Sequence, residues 1–210
     1  EEGQIWYNNS TGALKGYQAV NAWSSGGNLN TARSGLAGAG TQTAALGFGG
    51  YQTPYSAATE SYNGTSWTSK NNMNTARYTP GGTGTQTAAL AFGGETSRSA
   101  VESWNGTSWT TTTSLNTARQ SLGGGGTQTA TVGFGGQTAP GAASAATENW
   151  NGSAWTSVNS MNTARSYLGG CGTQTLSLAF GGRTPTVTNA TESWNGTSWT
   201  TVPGTMNTSR

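Results

Sequence analysis

The chain has 210 residues, a net charge of +2 and only 8 % charged residues, so it lacks the basic surface that nucleic-acid binding requires. It contains no apolar run of about 18 residues, which argues against insertion into a membrane. Nine tryptophans and 10 % aromatic residues argue against intrinsic disorder, despite 34 glycines. Because threonine and aromatic residues favour strands, this composition predicts an all-β fold.

The first 32 residues contain strand-like segments rather than a tail. Residues 4–7 and 13–17 flank a turn at residues 8–12. Further along, Trp23 stands ten residues before Arg33, a spacing that recurs downstream. We therefore predict that residues 1–32 form an incomplete copy of the repeat unit that follows. This partial propeller blade would contain strands two to four and lack the innermost strand.

From Arg33 onward a sequence unit repeats four times. Asn-Thr-Ala-Arg ends at Arg33, Arg77, Arg119 and Arg165, and Asn-Thr-Ser-Arg ends at Arg210. The intervals of 44, 42, 46 and 45 residues suit a four-stranded propeller blade. We predict a single domain, residues 1–210, in which four complete blades follow the partial one. The complete repeats are residues 33–76, 77–118, 119–164 and 165–210.

Turn residues locate the strands inside each repeat. In the first repeat we expect strands near residues 34–40, 43–49, 57–63 and 65–70, with Gly-Thr-Gln-Thr between the first two. An Asn-Gly pair separates the last two, which predicts a two-residue type I′ hairpin.

In the second repeat that hairpin would pair Trp104 with Thr107, and Glu102 with Trp109. All four side chains would then share one face of the sheet. A stripe of tryptophan on a blade face suits stacking against a neighbouring blade. We therefore interpret most tryptophans as packing residues.

One glutamate and one arginine recur in every complete repeat. In a chain with 8 % charged residues, charges at fixed repeat positions are expected to be paired and partly buried. We predict structural ion pairs between the two groups; the alternative is a ring of arginines at the mouth of a central channel that binds an anion. The residues are Glu60, Glu102, Glu148, Glu192, Arg33, Arg77, Arg119 and Arg165.

The single cysteine, Cys171, excludes an internal disulfide framework. It occupies the repeat position that Ala39, Thr83 and Gly125 hold elsewhere. We therefore expect a small buried side chain at this position.

The residue types needed for ordinary catalysis are missing. The sequence contains no histidine and no aspartate, which removes the usual general bases, histidine metal clusters and Ser-His-Asp triads. Among the glutamates only Glu95 is neither terminal nor repeated. We expect no enzymatic activity, no metal site and no cofactor.

Length variation is concentrated in one loop of each repeat. The distance from the repeat arginine to the second glycine of Gly-Gly is constant, as is the distance from the glutamate to the second tryptophan. A rigid scaffold with one variable loop per repeat is how repeat proteins present a binding face. We predict ligand contacts from Tyr51, Tyr55, Arg98 and Arg183. The loops are residues 51–59, 95–101, 137–147 and 183–191.

The repeat resembles the kelch repeat. The features that carry the resemblance are Gly-Gly after a short apolar strand, a following Glu-x-Trp/Tyr, a later Trp and then Arg, as in Gly93-Gly94, Trp104, Trp109 and Arg119. This resemblance implies a kelch-type β-propeller, although kelch propellers usually have six or seven blades.

A second resemblance concerns the biological context. The segment Gly3-Gln4-Ile5-Trp6-Tyr7-Asn8, followed by uniform repeats rich in Gly, Thr, Ser and Asn, is similar to tail-fibre and other appendage proteins of bacteriophages. It implies a non-enzymatic adhesion module, extracellular or on a virion, that binds a host-surface glycan or protein receptor. The alternative is a structural or decorating component that contacts other subunits of a virion or appendage.

Overall fold

The computed structural model describes residues 5–8, 13–16, 25–139 and 141–209. Every regular element in these ranges is a β-strand, which confirms the predicted all-β class. None of the described residues belongs to a helix long and apolar enough to cross a membrane.

The strands fall into short hairpins and four larger sheets. The N-terminal hairpin contains β1 (Ile5–Asn8) and β2 (Ala13–Gly16). The first blade contains β3 (Ala37–Thr41), β4 (Ala44–Phe48), β5 (Thr59–Tyr62) and β6 (Trp67–Lys70). The second contains β7 (Gly81–Gly84), β8 (Ala89–Phe92), β9 (Val101–Trp104) and β10 (Trp109–Thr112).

The remaining blades follow the same order. The third contains β11 (Gly123–Gly126), β12 (Thr131–Phe134), β13 (Thr147–Trp150) and β14 (Trp155–Val158). The fourth contains β15 (Gly169–Gly172), β16 (Ser177–Phe180), β19 (Thr191–Trp194) and β20 (Trp199–Val202). Its central loop adds a small hairpin of β17 (Arg183–Thr184) and β18 (Thr186–Val187).

The four sheets form a four-bladed β-propeller. Each sheet is antiparallel, and its strands lie in sequence order from the innermost to the outermost. The innermost strands β3, β7, β11 and β15 contact one another in this order. The predicted strands therefore recur in every complete repeat, each a few residues shorter than expected at its ends.

The N-terminal hairpin is antiparallel, with Asn8 opposite Ala13, and residues 9–12 of the predicted turn lie outside the described residues. The described residues include this hairpin but no fifth blade. Trp23, on which part of that prediction depends, lies outside the described residues, and so does most of residues 1–24.

The hydrophobic core is divided among the interfaces between blades. Each interface packs the phenylalanine at the end of a second strand against the outermost tryptophan of the next blade, as in Phe48 and Trp109, whose ring centroids are 4.9 Å apart. The innermost strand must pass close to the same phenylalanine. A Cβ atom added at Gly82 would lie 2.8 Å from Cζ of Phe48, so this strand has to be glycine-rich.

The predicted Asn-Gly hairpin register is wrong. Trp104 lies opposite Trp109, and Glu102 lies opposite Thr111, because the connection contains four residues rather than two. Asn105 closes this loop: its side-chain Oδ1 accepts hydrogen bonds from the backbone N–H groups of residues 107 and 108, each at 2.9 Å. The two tryptophan rings therefore pack directly against each other, with centroids 5.4 Å apart.

The Gly-Thr-Gln-Thr turns join neighbouring blades. The Gln86 side chain donates to the carbonyl oxygens of Ala45 and Tyr62 in the preceding blade, at 3.2 and 2.5 Å. Gln174 makes the equivalent bonds to Thr131 and Trp150. The repeated glutamine therefore satisfies strand carbonyls that lie across each interface.

One face of the fourth blade is open to solvent. Leu178 is 41 % exposed, whereas Leu46 and Leu90 at the same repeat position are 1 % and 0 % exposed. Cys171, which lies opposite Leu178 in the sheet, is also exposed. The expectation of a buried cysteine is therefore wrong, because no described residues of a following blade cover this face.

Candidate binding site at the loop end of the propeller

The structure brings each repeated glutamate together with a repeated arginine. The pairs are Arg33 with Glu60, Arg77 with Glu102, Arg119 with Glu148 and Arg165 with Glu192. All four arginine side chains are 0 % exposed. The alternative of an arginine ring that receives an anion at the channel mouth is therefore wrong.

The third-blade pair illustrates the network around each arginine. Arg119 donates to the carbonyl oxygens of Gly135 and Ala146 at 2.8 and 2.6 Å, and to Glu148 at 2.7 Å. The other Glu148 oxygen accepts from the backbone N–H of Asn116 at 2.7 Å. Burial lowers the pKa of Arg119 from its ordinary value, and the Glu148 carboxylate opposes this change. These contacts hold the linker between blades against the sheet and pair the Arg119 guanidinium with acceptors of the protein itself.

The residue after each Gly-Gly pair lies at one end of the propeller. Its backbone pairs with the residue after the repeat arginine. The loop that follows Gly-Gly and the segment that follows the arginine therefore meet there in every blade. The second glycine must permit this approach: Gly50 has φ +108°, and a Cβ atom on it would lie 2.8 Å from the Ser34 carbonyl oxygen. The residues presented differ in every blade: Tyr51, Glu95, Gln137 and Arg183.

Two of the predicted anchors lie together in an aromatic cluster. The ring centroids of Tyr51 and Tyr55 are 5.8 Å apart, and Tyr78 completes the cluster at 5.9 and 6.0 Å from them. Tyr51 is 45 % exposed, so part of its side chain is available at the surface. Desolvation raises the pKa of the Tyr55 phenol from its ordinary value, and the nearby Glu95 carboxylate raises it further.

The two predicted arginine anchors occupy different surroundings. Arg98 is partly buried, and its carbonyl oxygen accepts from the backbone N–H of Arg119 at 2.8 Å. One terminal nitrogen of Arg98 is buried with no hydrogen-bond partner among the described residues. Arg183 is exposed in the fourth-blade loop, separate from the tyrosine cluster. The structure therefore does not gather the four anchors into one site.

A pocket of about 800 Å³ lies between the loops of the third and fourth blades. Such a volume falls in the range of small-molecule sites. Arg183 is the charged side chain among its lining residues. The others are neutral and mostly polar or small: Gln137, Gly141, Ala143, Asn162, Thr163, Ala164, Ser166, Tyr167, Thr184 and Pro185.

Tyr167 has an unusual backbone for its size. Its φ is +55°, a left-handed conformation that costs a bulky residue about 1–3 kcal/mol. Gly35, Thr79 and Ser121 occupy the equivalent place, and backbone hydrogen bonds of 2.9–3.0 Å connect the four positions in series around the end of the propeller. Only the fourth blade carries a large aromatic side chain here, and it is 51 % exposed.

Sequence reasoning missed Tyr78 and Tyr167 as members of this surface, and it placed Gln137 in a predicted loop without naming it as an anchor. Tyr78 and Tyr167 follow the repeat arginine in a segment of constant length, whereas the loops were predicted from their variable length. Comparison of side chains between the copies would have found them, because both positions change from blade to blade.

The chain matches no family model, and no curated protein sequence matches it.

Proposed function

We propose that this protein is a non-enzymatic attachment module whose loop end binds a host-surface glycan or protein receptor. The proposal places it outside cells or on a virion, as part of a tail fibre or another surface appendage. The phage-appendage part of this proposal depends on the sequence resemblance alone.

One observation carries the proposal. In every blade the residue after Gly-Gly forms the same antiparallel β-bridge, yet its side chain is a phenol, a carboxylate, an amide and a guanidinium in the four successive blades. Packing does not require this variation, because the backbone geometry is the same in each copy. Aromatic and arginine side chains at an exposed surface suit stacking and polar recognition, and they are enriched where proteins bind partners.

Replacement of the variable loops within an intact propeller tests whether these loops bind the ligand. Residues 51–59, 137–147 and 183–191 would each be replaced by the shortest loop, residues 95–101, and binding would be measured on a glycan array and on host cells. We expect at least one replacement to abolish binding while the far-ultraviolet circular dichroism stays unchanged. Retained binding in all three variants would place the site outside these loops, for example at the opposite end near the Gly-Thr-Gln-Thr turns.

A structural role within an assembly is the second candidate. The exposed face of the fourth blade favours it, because Leu178 and Leu176 are 41 % and 67 % exposed. An apolar sheet face of this kind suits contact with another subunit. Loop replacement would leave such assembly intact, whereas a charged residue in place of Leu178 would disrupt it.

We also propose that the propeller is of the kelch type and that residues 1–32 contribute a fifth blade. The support comes from the uncovered end of the ring. A cavity of about 330 Å³ beside Phe180 and Met206 lies on the uncovered face of the fourth blade. The equivalent Phe48 packs against Trp109, the outermost tryptophan of its neighbour. Trp23 has the spacing of those outermost tryptophans.

A further inference from the structure

We propose that the pocket between the third and fourth blades binds an acidic saccharide, a sugar ring that carries a carboxylate. Arg183 would pair with the carboxylate, and the Tyr167 ring would stack on the sugar. This inference rests on the proposed glycan-binding function and assigns it to one pocket and one ligand class.

The Arg183 guanidinium has terminal nitrogens that are free to bind a ligand. Its Nε donates to the Pro185 carbonyl oxygen at 3.0 Å, which fixes the side chain within its own hairpin. The ion pairs found in the described residues all use the repeat arginines, and none involves Arg183. Its terminal nitrogens therefore remain available for the two-pronged contact that a carboxylate accepts.

The second argument is the position of Tyr167. Gly35, Thr79 and Ser121 share its left-handed backbone, which is a property of the repeat, but among the four described blades a large aromatic side chain occupies this position in the fourth alone. The Tyr167 ring lines the pocket and is 51 % exposed. An exposed aromatic face beside a cationic group suits an acidic sugar, whose ring C–H groups pack on the aromatic surface.

The third argument is the neutral polar lining. Gln137 and Thr163 place amide and hydroxyl groups along the pocket, and such groups can both donate to and accept from sugar hydroxyls. No glutamate lines the pocket, so the lining contains no carboxylate that would repel the ligand. The pocket volume of about 800 Å³ accommodates a small oligosaccharide.

The chain itself supplies conservative test variants. R183Q introduces the residue that the third blade carries at this position, and Y167S introduces the residue of the third blade at the other position, so both should leave the fold intact. K70Q removes an exposed positive charge outside the pocket and serves as the control for net charge. The probes are D-glucuronate, neutral D-glucose and inorganic sulfate, with binding followed by saturation-transfer NMR and amide chemical-shift titration.

We expect saturable binding of glucuronate to the wild type and weaker binding of glucose. R183Q should weaken glucuronate binding by about tenfold or more, because it removes a charge-assisted pair. Y167S should weaken both sugars, and K70Q should leave both unchanged. Equal binding of glucose and glucuronate, an equal effect of K70Q and R183Q, or a response to sulfate as strong as to glucuronate would overturn the proposal.

The outcome can be separated from that of the proposed function. If cell attachment survives R183Q but is lost when residues 51–59 are replaced, the attachment function stands and this pocket is wrong. If glucuronate binds in the pocket while no loop replacement affects attachment, the pocket stands and the attachment role is wrong.

Discussion

One interface between blades lacks a hydrogen-bond acceptor that the equivalent interfaces have. The outermost tryptophan of a blade donates its indole N–H to a threonine of the preceding blade, as Trp109 does to Thr59 at 2.9 Å and Trp199 does to Thr147 at 3.0 Å. Trp155 has no such partner among the described residues, because the corresponding position holds Val101. A buried donor without an acceptor costs about 1–3 kcal/mol.

This defect predicts a stabilising substitution. Val101→Thr should provide the missing hydroxyl and raise the free energy of unfolding by about 1 kcal/mol. Thr147→Val, the reverse change in the next blade, should lower it by about the same amount or more. Urea unfolding monitored by tryptophan fluorescence would measure both, and a less stable Val101→Thr protein would contradict the explanation.

Tyr55 yields a prediction about pH. Desolvation, together with Glu95, raises its pKa above the ordinary value of 10.0 in the folded protein. The folded state therefore keeps this proton at a pH where the unfolded chain loses it. The stability contributed by this shift is fully present below the unfolded pKa and disappears as the pH rises through the folded pKa.

Tyrosinate absorbance can check the direction of this shift. The difference between the wild-type titration and that of Tyr55→Phe isolates Tyr55, and its midpoint should lie above the ordinary value. Glu95→Gln should move the midpoint only part of the way back, because desolvation would still raise the pKa. A midpoint at or below the ordinary value would show that the phenol is solvated.

At the scale of an element, the linkers between blades are held by the buried ion pairs. Arg77 donates to the carbonyl oxygens of Gly93 and Ala100, and Glu102 accepts from the backbone N–H of Asn74 at 2.7 Å. Each clamp therefore fixes the linker, the end of the second strand and the third strand at once. Because the charge is fully buried, removing one partner leaves the other without compensation.

Glu102→Gln should accordingly destabilise the protein by about 3 kcal/mol. Lys70→Gln, at an exposed strand position, is the control and should change stability by less than about 0.5 kcal/mol. Thermal and urea unfolding would measure both variants. Equal, negligible shifts would show that solvent screens the Glu102–Arg77 pair.

At the scale of the whole molecule, the blades are not equivalent, because no blade among the described residues covers the Leu178 face of the fourth blade. The first blade is flanked by residues 25–33, where the Gly27 carbonyl accepts from the Trp67 indole at 3.1 Å. The fourth blade exposes Leu178 on its outer face, and Phe180 borders a cavity there. A fifth blade between them would bury both residues.

Two alanine substitutions test whether a fifth blade covers this face. If residues 1–32 complete the ring, Leu178→Ala should cost about 2–5 kcal/mol, and Trp23→Ala about 3–5 kcal/mol. Leu46→Ala, at the same position in a covered blade, is the reference for full burial. Should both truncations stay within about 0.5 kcal/mol while Leu46→Ala destabilises, the face is open to solvent.

The sequence by itself determined the repeat, the strand order and the position of each turn. These features are local, since glycine, asparagine and alternating aromatic residues act over a few neighbouring positions. Repetition then amplified the signal, because four copies in register exclude chance. The grouping of length variation into one loop also located the end of the propeller where Tyr51 and Arg183 lie.

Only the tertiary structure decided how distant positions meet. The Trp104–Trp109 pairing depends on how Asn105 closes its loop, and the pocket depends on residues 137 and 183, which belong to different blades. The exposure of Cys171 and Leu178 depends on what covers the fourth blade, which identical repeats cannot reveal. The repeats share the residues that form their strands and turns, whereas the contacts between blades depend on the position of each repeat in the ring.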